Sequence, residues 1–501
     1  MQIRLQPVAS VQTTPTSLQT TRLIPARHFF IYPRREFSSE DSEARARVHS
    51  TIMHSNSALE KSLSTALASR DERWIRRRLP DPNTSSSSSP LIDFNSNDYL
   101  SLSNSSKLRS HLLTKLSAAP DILGSGGSRL LVNSRAHAAL EARLVDFFHG
   151  ESALLFNSGF DANVGFFSCV PQPGDVVVYD EYIHASVHDG IRGSRVTRSS
   201  LLAFAHNSVA DLRRVLEKSR HEHASLRMAT ASLFVSVESL YSMDGTFSPL
   251  REIADLLDEL FPLKNAYLIL DEAHSTGIYG PLGRGRVVEL GLEGRVLARL
   301  HTFGKALAAS GAVVITSTLI RDYMLNYARS LIYTTSLSYA NIIAADCSFD
   351  MLTDGTAQHL SKHLLDLSSY FSDTLRPLLL SRRIPPALVR LPSHLSDHSS
   401  QSPFPPSPIV PVLTAHPRPL STYLLALGMN ARPITWPTVP KGKDRVRVCL
   451  HAGNTRDDVD RLIMGIIKWA EETMRSQEAS VPAVSVGTRR VAFPGAIESK
   501  L

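Results

Sequence analysis

The chain has 501 residues, 43% hydrophobic and 20% charged, with a net charge of +7. That is a globular balance, with length enough for two or three domains and a large core. Cys169, Cys347 and Cys449 are scattered without metal-ligand spacing, which argues against a disulfide scaffold and a zinc site. No apolar run reaches the ~20 residues of a membrane span, and no basic stripe with interleaved aromatics marks a nucleic-acid reader.

Residues 1–52 read as a disordered or targeting extension. Arg4, Arg22, Arg27, Arg34 and Arg35 precede the first acidic residue, Glu36, a pattern similar to a mitochondrial transit peptide, and Met53 offers an alternative start. Over 53–91, Leu59, Leu63, Leu67, Trp74 and Leu79 recur at helical spacing before the Ser-rich loop 83–90. From 92 to 345 short β-branched runs ("DVVVYD", "SLFVSVES", "AYLILDEAH", "GAVVITS") alternate with helical stretches ("SVADLRRVLEKS", "REIADLLDEL"). This predicts a large α/β domain around a mainly parallel sheet, with ligands at the carboxyl ends of the strands. A smaller α+β domain follows over 346–476. It contains strands in "PIVPVL" and "DRVRVCLHA", a helix in "RLIMGIIKWAEETM", and a Ser/Pro-rich insertion at 391–408 that reads as a surface loop. Residues 477–501 read as a flexible tail ending in Ser499-Lys500-Leu501.

Several motifs carry chemistry. "DEAHSTG" (271–277) is not a helicase motif here, because no G-x-x-x-x-G-K-[ST] phosphate loop accompanies it. "GSGGSR" (124–129) and "NSGFDAN" (157–163) are glycine turns entering helices, which present N–H groups to an anion. His184 follows the strand "DVVVYD", and Asp271 and His274 follow "AYLIL". "DRVRVCL" alternates Arg445, Arg447 and Cys449 on one strand face, where an inward arginine is a fork for a carboxylate. In "LHTFGKALAASG" a single lysine, Lys305, stands among small and apolar neighbours. Burial lowers a lysine's pKa, and a neutral amine forms a Schiff base. Each motif alone has an ordinary structural reading. Together they supply an amine for an aldehyde, a carboxylate for a pyridine nitrogen, a phosphate turn, a histidine for a ring and an arginine for a carboxylate. These are the needs of pyridoxal phosphate chemistry.

The stretch 92–472 resembles the α-oxoamine synthases, carrying in family order "NSNDYLSLS", "GSGGSRLL", "DEYIHASVHDGIR", "ESLYSMDGTFSPLREI", "LDEAHSTGIYGPLGRG", "TFGKALAASGAVV" and "DRVRVCLHA". The resemblance implies an α/β, fold type I pyridoxal-phosphate transferase, with a mainly parallel seven-stranded sheet in the large domain and a smaller α+β C-terminal domain. It implies that Lys305 carries the cofactor and acts as base, that Asp271 pairs with the ring nitrogen, and that His184 stacks on the ring. His274 matches a contact to the phenolic oxygen. Ser158, Gly159 and Phe160 match the phosphate and ring turn, and Ser242 and Thr302 match residues near it. Thr335 matches a phosphate contact given by the neighbouring subunit, which implies a homodimer with shared sites. Arg447 matches the arginine gripping the amino-acid carboxylate, and Asn97 a residue near the acyl-CoA mouth. One departure is a turn after Leu131 that is one residue shorter than the family pattern; this turn shapes the acyl pocket.

The implied reaction is a decarboxylative condensation of an amino acid with an acyl-CoA. The terminal Ser-Lys-Leu reads as a peroxisomal address, with an import receptor as partner. A compartment of fatty-acid shortening favours pimeloyl-CoA with L-alanine over the pairs glycine with acetyl-CoA or serine with a long acyl chain. A silent subunit partnering an active chain is the alternative of another class, and retention of Lys305, Asp271 and His184 argues against it.

Overall fold

In the computed structural model the described residues are 57–73, 75–79, 91–395 and 404–480. The extension 1–52, Trp74, residues 396–403 of the insertion and the Ser499–Leu501 tripeptide lie outside them. The chain divides into two compact units, 1–78 and 79–501. In the first, the predicted helix is α1, Ala58–Glu72. Ser57 opens it with a reciprocal cap: Ser57 Oγ accepts from Glu60 N at 3.2 Å, and Glu60 Oε2 accepts from Ser57 N at 3.2 Å. Leu59, Leu63 and Leu67 share one side of α1, as their spacing requires, but all three are exposed.

The second unit opens with β1 (Ile92–Asp93), α2 (Ser106–Ala118), α3 (Arg135–Phe148) and β2 (Ser152–Phe156). Strands and helices then alternate: α4 (Gly159–Cys169), β3 (Val176–Asp180), α5 (Ala185–Arg192), β4 (Leu201–Phe204), α6 (Val209–Glu222), β5 (Leu233–Glu238), α7 (Leu250–Leu260), β6 (Ala266–Asp271), β7 (Val296–Thr302) and β8 (Ala312–Thr316). They build a seven-stranded sheet in the order β2-β8-β7-β6-β5-β3-β4. β8 is antiparallel to both neighbours and every other pairing is parallel.

A parallel sheet is covered on both faces, so its strands read as apolar runs. Alternate side chains serve opposite layers. Val177 and Phe234 pack with Phe166, Phe167 and Ile191 of α4 and α5, whereas Val176, Val178 and Val235 pack with Leu212, Leu216, Ile253 and Leu257 of α6 and α7. The parallel strands β3, β5, β6 and β7 therefore end on one edge, where the chain leaves them for Tyr182–His184, Ser239–Ser242, Glu272–His274 and Phe303–Lys305.

The chain continues through α8 (Thr318–Tyr327), α9 (Tyr339–Thr353), α10 (Thr356–Ser381), β9 (Ile409–Leu413), α11 (Pro417–Ala426), β10 (Met429–Asn430), β11 (Arg432–Ile434), β12 (Arg445–Cys449) and α12 (Arg456–Ser480). β9, β12 and β11 form an antiparallel sheet. Leu462, Ile463, Ile466, Ile467 and Ala470 of α12 are buried with Val410, Val446, Leu364 and Phe371 in one core, and that core also takes in Phe303 and Leu307 on either side of Lys305. Position 345 lies within α9, and β1 pairs in parallel with β10, so the segment carrying Asn97 enters beside the C-terminal elements. The insertion read as a surface loop is packed at its described end: Phe404 stacks on Phe247 with centroids 5.8 Å apart, and Tyr279 Oη donates to Pro406 O at 2.7 Å. Among the described residues no helix is long and apolar enough to cross a membrane.

Candidate active site

Asp271 ends β6 and is buried. Its Oδ1 accepts from Ala273 N at 2.9 Å and its Oδ2 from Asn163 Nδ2 at 2.8 Å. Asn163 lies on α4, one turn after Gly159, and also donates to Ser186 Oγ at 3.0 Å. Ser186 Oγ in turn meets His184 Nδ1 at 2.7 Å. His184 caps α5, accepting from Ser186 N, so its ring is fixed by the helix it starts. His184 is exposed at the surface of the site, and desolvation by the neighbouring protein holds it below its ordinary pKa against the pull of Asp271.

Lys305 follows β7 in a tight turn anchored by Phe303 and Leu307, both fully buried. Each such burial contributes about 1.5–3 kcal/mol, which fixes where the lysine stem starts. The Nζ lies 2.8 Å from His274 Nε2. Burial, opposed by Asp271 and Glu238, lowers the Lys305 amine to about 8. His274 is pushed well below its ordinary value, first by burial and then by Lys305 and Arg447. Its Nδ1 meets Tyr99 Oη at 2.7 Å. Both "strand arginines" are buried. Arg445 Nη1 pairs with Asp244 Oδ1 at 2.6 Å. Arg447 donates to Ser242 O at 2.5 Å, to Asn97 Oδ1 at 3.0 Å and to Tyr99 Oη at 3.3 Å. The structure thus joins Lys305, His274, Arg447, Asn97 and Ser242 in one contact chain, and Asp271 and His184 in a second through Asn163 and Ser186. Lys305 and Asp271 act on each other electrostatically across the two.

The glycine turn starts α4. Ser158 Oγ accepts from Asp161 N at 3.1 Å and donates to Asp161 Oδ2 at 2.7 Å. A Cβ on Gly159 would stand 3.5 Å from Thr302 Cβ, so the start of α4 and the end of β7 form one cradle. Thr302 Oγ1 accepts from Gly304 N at 3.4 Å and donates to Gly311 O at 3.3 Å. Phe160 and Thr335 are exposed. Thr335 is tied to the glycine turn through its carbonyl, which accepts from Asn157 Nδ2 at 2.7 Å.

Four residues of the site went unread in the sequence: Tyr99, Asn163, Ser186 and Glu238. All four stand inside quoted segments, but their roles come from contacts with other elements. Glu238 ends β5 in register with Asp271. It is buried, its Oε1 lacks a hydrogen-bond partner, and burial together with Asp271 pushes its carboxyl well above the usual range.

These groups fit pyridoxal phosphate. Lys305 offers an amine that loses its proton more readily than an ordinary lysine, for the aldehyde, and Asp271 a strand-end carboxylate for the ring nitrogen. The N-terminus of α4 offers N–H groups for a phosphate, and His184 and His274 border the space between.

The comparisons agree. The profile of the aminotransferase class I and II family matches residues 89–466. An 8-amino-7-oxononanoate synthase of Emericella nidulans is 43% identical over 84% of this chain and 98% of its own length. The aminoacyl transferase sphA of Aspergillus fumigatus is 37% identical over 77% of this chain and 82% of its own. The crystal structure of 8-amino-7-oxononanoate synthase from Francisella tularensis superposes with a TM-score of 0.58 at 25% identity, covering 77% of this chain and 99% of that one. The chain belongs to the class I and II aminotransferase family, in its α-oxoamine synthase branch, as a fold type I, pyridoxal-phosphate-dependent C-acyltransferase.

Proposed function

We propose that the protein condenses L-alanine with pimeloyl-CoA to give 8-amino-7-oxononanoate, CoA and CO2, as a homodimer. The geometry that carries the condensation is the half-buried Lys305, its amine 2.8 Å from His274 and linked through Tyr99 to the buried Arg447 fork. The choice of substrates rests on the 43% identical relative, which is matched over 98% of its length.

Bound pyridoxal phosphate supplies a sink for the electron pair released at the amino-acid Cα. Lys305 would hold its aldehyde, Asp271 its ring nitrogen, His184 its ring face and His274 its phenolic oxygen. Ser158, Gly159, Phe160, Ser242 and Thr302 would line its phosphate and ring. Arg447 takes the substrate carboxylate and sets the Cα near the lysine, and Asn97, which accepts from Arg447, stands by the acyl-CoA mouth. The Lys305 amine would remove the Cα proton. The amino-acid carbon would take the acyl group, CoA would leave with the thioester electrons, and the carboxylate would depart as CO2, the electron pair left at Cα taking back the proton from Lys305. Fixed positioning of this kind converts a bimolecular encounter into an oriented one.

The homodimer reading is supported by large exposed apolar side chains. Leu123, Leu131 and Tyr333 are exposed by 76%, 80% and 72%. They stand on two segments stitched together by Ser336 N donating to Gly127 O and Tyr339 N to Leu123 O. A second copy covering them would bring its own Thr335 to the site.

CoA release by the purified protein tests the reading, with three pairs compared: L-alanine with pimeloyl-CoA, glycine with acetyl-CoA, and L-serine with palmitoyl-CoA. Selective turnover of the first pair is expected. Turnover of another pair alone would retain the condensation and replace the substrates, a reading favoured by the 37% identical aminoacyl transferase.

A further inference from the structure

We propose a second, hydrolytic site, in which Thr246, His206 and Asp180 cleave a carboxylic ester that carries an apolar acyl chain. None of the three belongs to the contact chains around Lys305.

The three stand in the order carboxylate, imidazole, hydroxyl. Asp180 ends β3 and is fully buried. Its Oδ1 accepts from Tyr182 N at 2.8 Å and its Oδ2 from Asn207 N at 2.9 Å, so backbone groups fix its place. His206 Nδ1 donates to Asp180 Oδ1 at 2.9 Å. The imidazole is clamped as well: it stacks on the Tyr182 ring with centroids 4.5 Å apart and stands at 89° to the Tyr241 ring at 4.4 Å. Its Nε2 lies 2.8 Å from Thr246 Oγ1. Thr246 sits in a closed turn, in which Tyr241 N donates to Thr246 O at 2.9 Å and Gly245 N donates to Tyr241 O at 3.0 Å.

The protons follow from these contacts. A carboxylate cannot donate, so His206 carries its hydrogen on Nδ1 and presents a lone pair at Nε2. Asn207 agrees with this tautomer. Its Nδ2, which can only donate, lies 3.2 Å from His206 Nε2. The amide is oriented by its other bonds: Nδ2 donates to Phe247 O at 3.0 Å, and Oδ1 accepts from Ser248 Oγ at 3.3 Å. Thr246 therefore gives its hydroxyl proton to the imidazole, the arrangement that activates a hydroxyl as a nucleophile.

The half-buried Thr246, with His206 and Asn207, borders a cavity of about 330 Å³, whose other walls include Phe247, Pro249, Leu395 and Phe404. A few polar groups converging in an apolar cavity of this size suit a small ligand with an apolar chain. In the reaction, Thr246 Oγ bonds to the ester carbonyl carbon and its proton passes to His206 Nε2. The imidazolium has no lone pair for Asn207 Nδ2, so that hydrogen is released to the new oxyanion. The tetrahedral adduct collapses, and the alcohol leaves with the proton from His206. Water then adds to the acyl-threonine, giving a proton to His206. Thr246 leaves with that proton, and the net change is ester plus water to acid plus alcohol.

The experiment uses the cofactor-loaded enzyme and p-nitrophenyl hexanoate. Release of nitrophenolate is expected above the rate in buffer, and it should persist in Lys305→Ala, which separates it from the condensation. Thr246→Ala should return it to the buffer rate, and Thr246→Ser should restore it. His206→Asn should lower it about 10²–10⁴-fold, the range of a lost general base. Release no faster than in buffer would overturn the proposal. So would release that survives Thr246→Ala and is lost in Lys305→Ala, since the lysine would then be the nucleophile.

Should a variant not fold, the natural protein treated with a fluorophosphonate decides. A phosphonyl group found by mass spectrometry on Thr246 supports the site, and its absence there overturns it. Neither result touches the assignment of Lys305, which the condensation assay tests by itself.

Discussion

Two clusters of the molecule use nearly the same residue types to opposite ends. On α2, α3 and α9, His111, Lys115, Arg143, Asp346 and Asp350 form a half-exposed net. Lys115 meets Asp350 at 2.6 Å, Arg143 meets it at 2.9 Å, His111 at 2.6 Å, and Lys115 also pairs with Asp346. Burial there is partial, and the opposing charges overcome it: Lys115 is raised and Asp350 lowered. Both are driven deeper into their charged forms. At the ends of β5, β6 and β7 burial is the leading cause, and it pushes Lys305 and His274 down and Glu238 up. The amine there is brought towards neutrality, and the imidazole is held neutral. Charge density is similar in the two places; desolvation separates a structural net from a reactive site. His111, Cys347 and Asp350 have ligand atoms within 4.8 Å of one another, but Asp350 is already engaged by two cations, and burial pushes the Cys347 thiol up to about 11.

The contrast can be broken from either side. The largest effect is expected for Lys305→Ala, with turnover down at least about 10²–10⁴-fold, the range of a lost general base, and the cofactor's visible band gone. Retained turnover would remove the lysine from the chemistry. Next, Arg447→Lys should raise KM for the amino acid about 10–100-fold, because a lysine cannot replace the two-pronged fork; steady-state kinetics report it. Asn163→Ala should cost about tenfold in kcat by freeing Asp271 and Ser186 together.

A pH effect sharpens the contrast. With the Lys305 amine near 8 instead of the ordinary 10.5, about one molecule in ten is neutral at pH 7. The lowered value favours the neutral form, so capture of pyridoxal phosphate by cofactor-free protein should speed up as pH rises to about 8 and then level. A rate still climbing towards 10 would mean an ordinary, solvated lysine. The smallest effect is expected in the other cluster. Asp350→Asn should leave turnover unchanged and alter stability by within about 1 kcal/mol in denaturant unfolding, since the half-exposed pairs are screened.

Much of this was legible in the sequence. β3 and β8 read as strands because both their faces are covered, and α12 read as a helix because one side chain in three or four is core. Lys305 stood out by its small and apolar neighbours, Asp271 and His274 by following an apolar run. Tyr99, Asn163, Ser186 and Glu238 were not legible, because their roles come from partners on other elements: Tyr99 and His274 are 175 residues apart, and Asn163 and Asp271 are 108 apart. Spacing along one element carries no signal of such a meeting. The spacing of Leu59, Leu63 and Leu67 gave the helix but not the burial of its apolar side, since periodicity describes a face and not what covers it.

The central claim is that burial makes Lys305 the reagent. Borohydride treatment of the cofactor-loaded protein, followed by peptide mass spectrometry, tests it most directly. The expected result is the reduced cofactor fixed on the peptide bearing Lys305 and on no other lysine. The cofactor fixed at a different lysine, or at none in protein that holds it, would contradict the account.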